Sequence, residues 1–167
     1  MDRARPFHGT MLTSECEART IEIGRIVGEH LLPGDAVLLI GELGAGKTRF
    51  VQGMAEGIGA PGVARSPTFV LVNEYEGRVR LLHSDLYRIG SASEVDDLGL
   101  VERLDAGDAL AVEWADRALT SLPADALTIR FDMRAGFDVR RLTLTAGGER
   151  SARLLREVLD TISRGGA

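Results

Sequence analysis

One cysteine, one lysine and one tryptophan among 167 residues set the first limits on this chain. With Cys16 as the only thiol, no intramolecular disulfide and no cysteine-based zinc site can form. No apolar run approaches the roughly 20 residues a membrane-spanning helix needs, so no membrane partner is expected. Residues 1–10 have no apolar segment of the signal-peptide kind and read as a polar, flexible tail. Positive charge is the minority sign: 20 Lys and Arg stand against 25 Asp and Glu, for a net charge of −5 and a pI near 5.3. That balance argues against a protein that grips nucleic acid over a broad basic face, although a local basic patch is compatible with it. The rest is ordinary for a globular chain, with 44% hydrophobic and 27% charged residues. The length suits one domain with a real core, so residues 11–167 are read as that domain.

Arginine supplies 19 of the 20 cationic side chains. The single lysine, Lys47, falls in Gly41-Glu42-Leu43-Gly44-Ala45-Gly46-Lys47-Thr48, a full match to the phosphate-binding loop G-x-x-x-x-G-K-[ST]. An ammonium is a compact point charge on a thin stem, whereas a guanidinium is a wide planar fork; only the former fits inside a loop wrapped around a β/γ-phosphate. Glycines let the backbone N–H groups of 42–47 approach an anion, and the following helix adds its positive dipole end. The Thr48 hydroxyl is placed to ligate Mg²⁺. From average residue usage, a chance match in a chain this long has odds on the order of one per cent. The context strengthens the match: 35–40 reads as a buried strand and 48–58 as a helix, the order the motif demands.

Other elements follow from periodicity and turn chemistry. Ser14 with Glu17 has the spacing of a capping box, opening a helix that ends before Pro33-Gly34. Runs 69–75 and 79–85 form a hairpin around Glu76-Gly77. Ser91 with Glu94 is a second capping box before a short helix. A short strand covers 109–112. Runs 127–133 and 139–145 alternate as a second hairpin around Ala135-Gly136, and 153–162 carries one apolar helical stripe.

A phosphate-binding loop needs acidic groups for its metal. Two strand-like runs end in a carboxylate, one at Asp85 and one at Glu113. Mg²⁺ takes few protein ligands and keeps several waters, so one acid can hold the metal while the other orients attacking water; the bland reading is that each caps a strand end or pairs with an Arg. His83 reads as packed structure or as a base. Ser66-Pro67-Thr68 reads as a γ-phosphate switch or as a plain proline turn. Arg65 and Arg88 flank these positions and could stabilise transferring charge. Trp114 is either core filler or a neighbour of the nucleotide, and His8 and His30 read as surface residues. Guanine selection through an Asn-Lys-x-Asp element is impossible with no second lysine, so adenine is expected.

Together, the Gly-Glu-Leu-Gly-Ala-Gly-Lys-Thr loop, Ser66-Pro67-Thr68-Phe69, His83-Ser84-Asp85-Leu86-Tyr87-Arg88 and Val112-Glu113-Trp114 resemble the TsaE (YjeE) family over roughly residues 13–117. The resemblance implies a small bacterial ATPase required for the threonylcarbamoyladenosine modification of tRNA. It also implies a single α/β P-loop NTPase domain, a mostly parallel central sheet with antiparallel hairpins and flanking helices. The implied cofactors are ATP/ADP and Mg²⁺. The implied partners are a TsaD-type and a TsaB-type subunit that carry the carbamoyl transfer, with tRNA met only indirectly and in the cytoplasm. Intrinsic turnover would be weak and partner-dependent. Carried over by motif, Glu42 to Thr48 and Thr68 contact the nucleotide, Lys47 holds phosphate, and Thr48, Asp85 and Glu113 complete the metal and hydrolysis site. Glu17 and Asp116 approach the base. The chain departs from the family pattern at Arg49, where a second Thr is common, and in its Arg-rich C-terminal part. The alternative from another class is a small P-loop metabolite kinase with Arg153 and Arg156 as lid residues, which leaves Val-Glu-Trp and Ser-Pro-Thr unexplained.

Overall fold

A computed structural model describes residues 9–62, 71–134 and 138–165. In chain order the elements are β1 (Thr10–Ser14), α1 (Glu17–His30), β2 (Ala36–Gly41), α2 (Lys47–Gly57), β3 (Val72–Tyr75), β4 (Leu81–Asp85), α3 (Ala92–Asp97), α4 (Leu100–Asp105), β5 (Ala109–Glu113), β6 (Leu127–Met133), β7 (Arg140–Ala146) and α5 (Glu149–Gly165). Two short 3₁₀ turns, Ala115–Arg117 and Leu119–Ser121, link β5 to β6.

The strands form one seven-stranded sheet in the order β1-β7-β6-β2-β5-β4-β3. β6, β2, β5 and β4 run parallel, while β7, β1 and β3 are antiparallel to their neighbours. This is the α/β sheet expected from the sequence, with hairpins on both flanks. Ala109–Glu113 is buried at all five positions, as a parallel strand covered on both faces should be. β6 and β7 alternate instead, and Arg130, Asp132 and Arg141 are exposed between inward Ile129, Phe131 and Leu142.

Two apolar layers cover the sheet. One face packs Ile23, Phe50, Met54, Ile129, Leu142 and Val158 from α1, α2, α5 and their strands. The other packs Leu38, Leu82, Val95, Leu104 and Leu110 under α3 and α4. α1 and α2 approach backbone to backbone through glycines on both sides: a Cβ at Gly24 would stand 2.1 Å from the Phe50 carbonyl oxygen, and one at Gly57 would stand 2.1 Å from that of Arg25. Any larger residue there would push the loop-bearing helix off α1. Near the start of α5, Arg153 pairs with the buried Asp35 carboxylate and donates to the His30 carbonyl at 3.2 Å.

Four expectations change. The Ser14–Glu17 capping box does not form: Ser14 ends β1, its hydroxyl donates to the Cys16 carbonyl at 2.9 Å, and Cys16 is the helix N-cap without a side-chain cap bond. Thr10, assigned to the tail, is the first residue of β1 and pairs with Leu144; residues 1–8 lie outside the described residues. α5 begins at Glu149 rather than at 153, because Asp125, distant in sequence, accepts from the Arg150 and Ser151 backbone N–H groups at 3.0 and 2.9 Å. His30 is half-buried, its Nε2 lying 2.7 Å from the Thr161 hydroxyl. The second box is present in part, with Ser91 accepting from Glu94 N–H at 3.4 Å.

Candidate nucleotide site at the strand ends

The phosphate-binding loop joins the C-terminal end of β2 to α2, the position where ligands gather in open parallel sheets. Gly46, the N-cap of α2, has φ of 103°, a conformation costly for any residue with a Cβ. A 2.9 Å bond from Phe50 N–H to the Gly46 carbonyl starts the helix, leaving the N–H groups before it aimed outward.

Lys47 is only 4% exposed. Its ammonium donates to the Gly41 and Glu42 carbonyls at 2.6 and 2.8 Å and lies 4.2 Å from the centre of the Trp114 ring. Burial pushes its pKa below the ordinary lysine range, against the opposing pull of Glu113, Asp85 and Asp116. Trp114 therefore neighbours the loop while packing, half-buried, against the apolar layer under α3 and α4. It is the only non-glycine residue among those described with positive φ, at 57°. This backbone bend, unfavourable for a bulky residue, turns the ring back over Lys47, where Tyr87 packs against it at 4.9 Å between centroids.

Asp85 and Glu113 occupy paired register positions at the ends of the parallel strands β4 and β5, so two carboxylates stand side by side. Glu113 is 2% exposed and accepts the Thr48 hydroxyl at both oxygens, 2.9 and 3.1 Å away. Asp85 is half-buried and accepts the Tyr87 N–H at 2.9 Å. An open cleft of roughly 320 Å³ is lined by the loop from Leu43 to Arg49 together with Glu17, Asp85, Glu113, Trp114 and Arg140. Glu17 reaches it from the start of α1 and pairs with Arg49 at 3.2 Å. Asp116 and Glu42 do not line this cleft; they line a neighbouring one of about 340 Å³ that shares Trp114 with it. Arg88 is exposed and outside the cleft lining. Arg65, Ser66, Pro67 and Thr68 lie outside the described residues.

The chemistry of the donor set fits Mg²⁺. A hydroxyl and two adjacent carboxylates offer few, hard oxygen ligands and leave room for water and phosphate. Thr48, Asp85 and Glu113 are the residues that could hold the ion.

Two residues had no assigned role or an undecided one. His83 is fully buried, and its Nε2 lies 2.8 Å from Glu113 Oε1. Arg140, 8% exposed, supports the loop from β7: its Nε donates to the Ala45 carbonyl at 2.9 Å and its Nη1 to the Asp138 carboxylate at 2.7 Å. A signal for Arg140 does exist in the sequence. It falls in the same two-residue period as Leu142, Leu144 and Ala146, on the inward face of its strand.

A family model described as threonylcarbamoyl adenosine biosynthesis protein TsaE matches residues 14–142. The tRNA threonylcarbamoyladenosine biosynthesis protein TsaE of Bacillus subtilis (strain 168) is 41% identical over 140 residues, 83% of this chain and 87% of that relative. The protein of the same description from Streptomyces coelicolor is 39% identical over 138 residues, 78% of this chain and 93% of its own. The crystal structure of Bacillus subtilis YdiB superposes with a TM-score of 0.76 at 34% identity, covering 95% of this chain and 97% of that one.

Proposed function

Because this chain belongs to the TsaE family of threonylcarbamoyl adenosine biosynthesis proteins, we propose that it is the subunit that binds and hydrolyses ATP to support N6-threonylcarbamoyladenosine modification of tRNA. The reading rests above all on one observation: the Thr48 hydroxyl is held by both oxygens of Glu113, with Asp85 in register beside it. This is the side-chain set a Mg-nucleotide hydrolase needs at the end of its phosphate loop.

In this proposal the backbone of 42–48 and the Lys47 ammonium bind the β- and γ-phosphates of ATP and retain ADP afterwards. Thr48 and one of the two acids hold Mg²⁺, and the other acid orients water. Bound Mg²⁺ supplies charge that offsets the negative charge on the phosphate oxygens. Glu17 approaches the base from the cleft itself and Asp116 from the adjoining cleft that shares Trp114, and Thr68 is assigned to the γ-phosphate end by its motif. The ATPase domain begins with β1 at Thr10 and runs through α5. TsaD-type and TsaB-type subunits carry the carbamoyl chemistry and the tRNA, which accounts for the net charge of −5 here. The site of action is the cytoplasm, and no described helix is long and apolar enough to cross a membrane. The kinase alternative loses one of its two lid residues, since Arg153 is committed to Asp35 at the opposite end of β2 from the loop.

The test is Mg-dependent ATP turnover with and without the two partner subunits, alongside restoration of the modified base in a strain lacking its own TsaE. Weak turnover that rises with partners, and restored modification, are expected. GTP binding as tightly as ATP, or a phosphorylated metabolite appearing in place of free phosphate, would overturn it.

A further inference from the structure

Glu113 is held from two sides, and only one of them is the phosphate loop. Opposite Thr48, the His83 ring lies in β4 with no exposed surface, Nε2 at 2.8 Å from Glu113 Oε1. Its other nitrogen, Nδ1, lies 3.3 Å from the Tyr75 hydroxyl, which also accepts from Asn73 Nδ2 at 3.4 Å. The Tyr75 and His83 rings pack with centroids 6.1 Å apart. Four side chains thus form one line across the sheet, from edge strand β3 through β4 and β5 to the first turn of α2.

The direction of the line follows from what each group can do. A carboxylate only accepts, so His83 must present Nε2–H to Glu113. In the Nε2–H tautomer Nδ1 carries a lone pair and accepts the Tyr75 O–H. Thr48 donates to the same carboxylate, leaving its oxygen lone pairs to face the cleft. Each donor points toward Glu113.

We propose that His83 is a positioning residue for Glu113, with Tyr75 fixing its tautomer, so that the carboxylate is locked in the orientation from which it serves Thr48 and the metal–water site. The proposal rests on the hydrolase reading above for its kinetic consequence, but not for its tautomer. Partners behind a metal-site ligand typically matter 10- to 100-fold to activity because they fix its orientation.

The experiment uses the full chain. In the wild-type protein without nucleotide, long-range ¹H–¹⁵N spectra of the histidine rings at neutral pH should show His83 as the Nε2–H tautomer, and Glu113→Gln should shift that proton. An Nδ1–H tautomer would overturn the proposal whether or not the protein hydrolyses ATP. In turnover assays, His83→Leu should lower kcat roughly 10- to 100-fold while ADP affinity stays at the wild-type level. His83→Gln, whose amide can still reach Glu113, should recover part of the loss; His83→Asn, which is too short, should not. Tyr75→Phe should show a smaller fall. Unchanged kcat in His83→Leu, or equal loss in the Gln and Leu variants, would overturn it. A wild type with no turnover under any condition would instead refute the hydrolase reading, and the tautomer would still decide the proposal.

Discussion

The sheet has two unlike halves. In β2, β5 and β4 every side chain but that of Asp85 is buried, yet this half holds Lys47 at its loop, His83 and Glu113, all buried. In the wing of β6, β7 and β1, one face is open and the charges on it, such as Arg130, Asp132 and Arg141, stand in solvent. Buried polar groups are costly unless hydrogen-bonded, and those of the parallel half are joined to one another or to loop carbonyls. The wing is built for cohesion and the parallel half for chemistry. Low polarity around the buried groups strengthens each contact there, so a single deletion should be felt in function.

The strongest expected effect falls on the acid at the end of β5. Glu113→Ala should lower ATP turnover by about 10²- to 10³-fold while retaining much of the nucleotide binding, since a group that positions metal or water matters most in the transition state. Steady-state rates set against ADP titration check it, and a proportionate loss of both would erase the distinction between chemistry and cohesion. Asp85→Ala should behave similarly, with weaker Mg²⁺ affinity.

Lys47→Arg comes next. Charge is kept and only shape changes, so the fold should melt as in the wild type while affinity for an ATP analogue falls by roughly 30- to 100-fold, the worth of a lost charged hydrogen bond or two. Unchanged affinity would remove the loop from the parallel half's chemistry.

The wing should answer in the opposite sense. Leu142→Ala should cost about 2–5 kcal/mol of stability and lower Tm by roughly 2–4 °C per kcal/mol, with nucleotide affinity unchanged below the transition. Arg140 tests the boundary between the halves. It is the wing residue that lines the cleft and supports Ala45. Arg140→Ala should weaken binding about tenfold, and a loss as large as that from Lys47→Arg would move the boundary.

The smallest effect is one of pH. Burial lowers the pKa of Lys47 in the folded state. Below that lowered value the buried charge costs stability. Between it and the unfolded lysine value of about 10.4, the unfolded chain binds the extra proton, so that cost is relieved as pH rises. Anion binding needs the proton, so ATP-analogue affinity should fall across the same window, before an ordinary lysine would titrate. Affinity that holds steady until about pH 10.4 would contradict this.

The same division explains what the sequence could reveal. β2, its loop and α2 were legible because all their information is local: a buried run, a fixed motif, a helix. β5 to β7 were legible by burial run and alternation. β1 was not, because Thr10–Ser14 is short and its reason for being a strand lies in β7. Ser14 and Glu17 had the spacing of a cap, but Ser14 was committed to that ladder and its hydroxyl to Cys16 and Thr20. The start of α5 was hidden because its cap, Asp125, comes from another element. The two strand-end acids could be named but not paired, and the partner of His83 depended on a register between β4 and β5 that no local pattern encodes.

The pairing of Thr10 with Leu144 also sets an order of birth. The first strand of the sheet leaves the ribosome with its partner still unmade, and at about 5–20 residues per second it waits on the order of ten seconds. β2 and β5 can meet sooner, since 113 precedes β6 and β7. Vectorial synthesis therefore favours assembly of the phosphate loop and its acids before the sheet is closed. A nascent chain halted after β5 would hold the reactive strands with β2 still lacking its β6 neighbour, the stage at which a chaperone has most to protect.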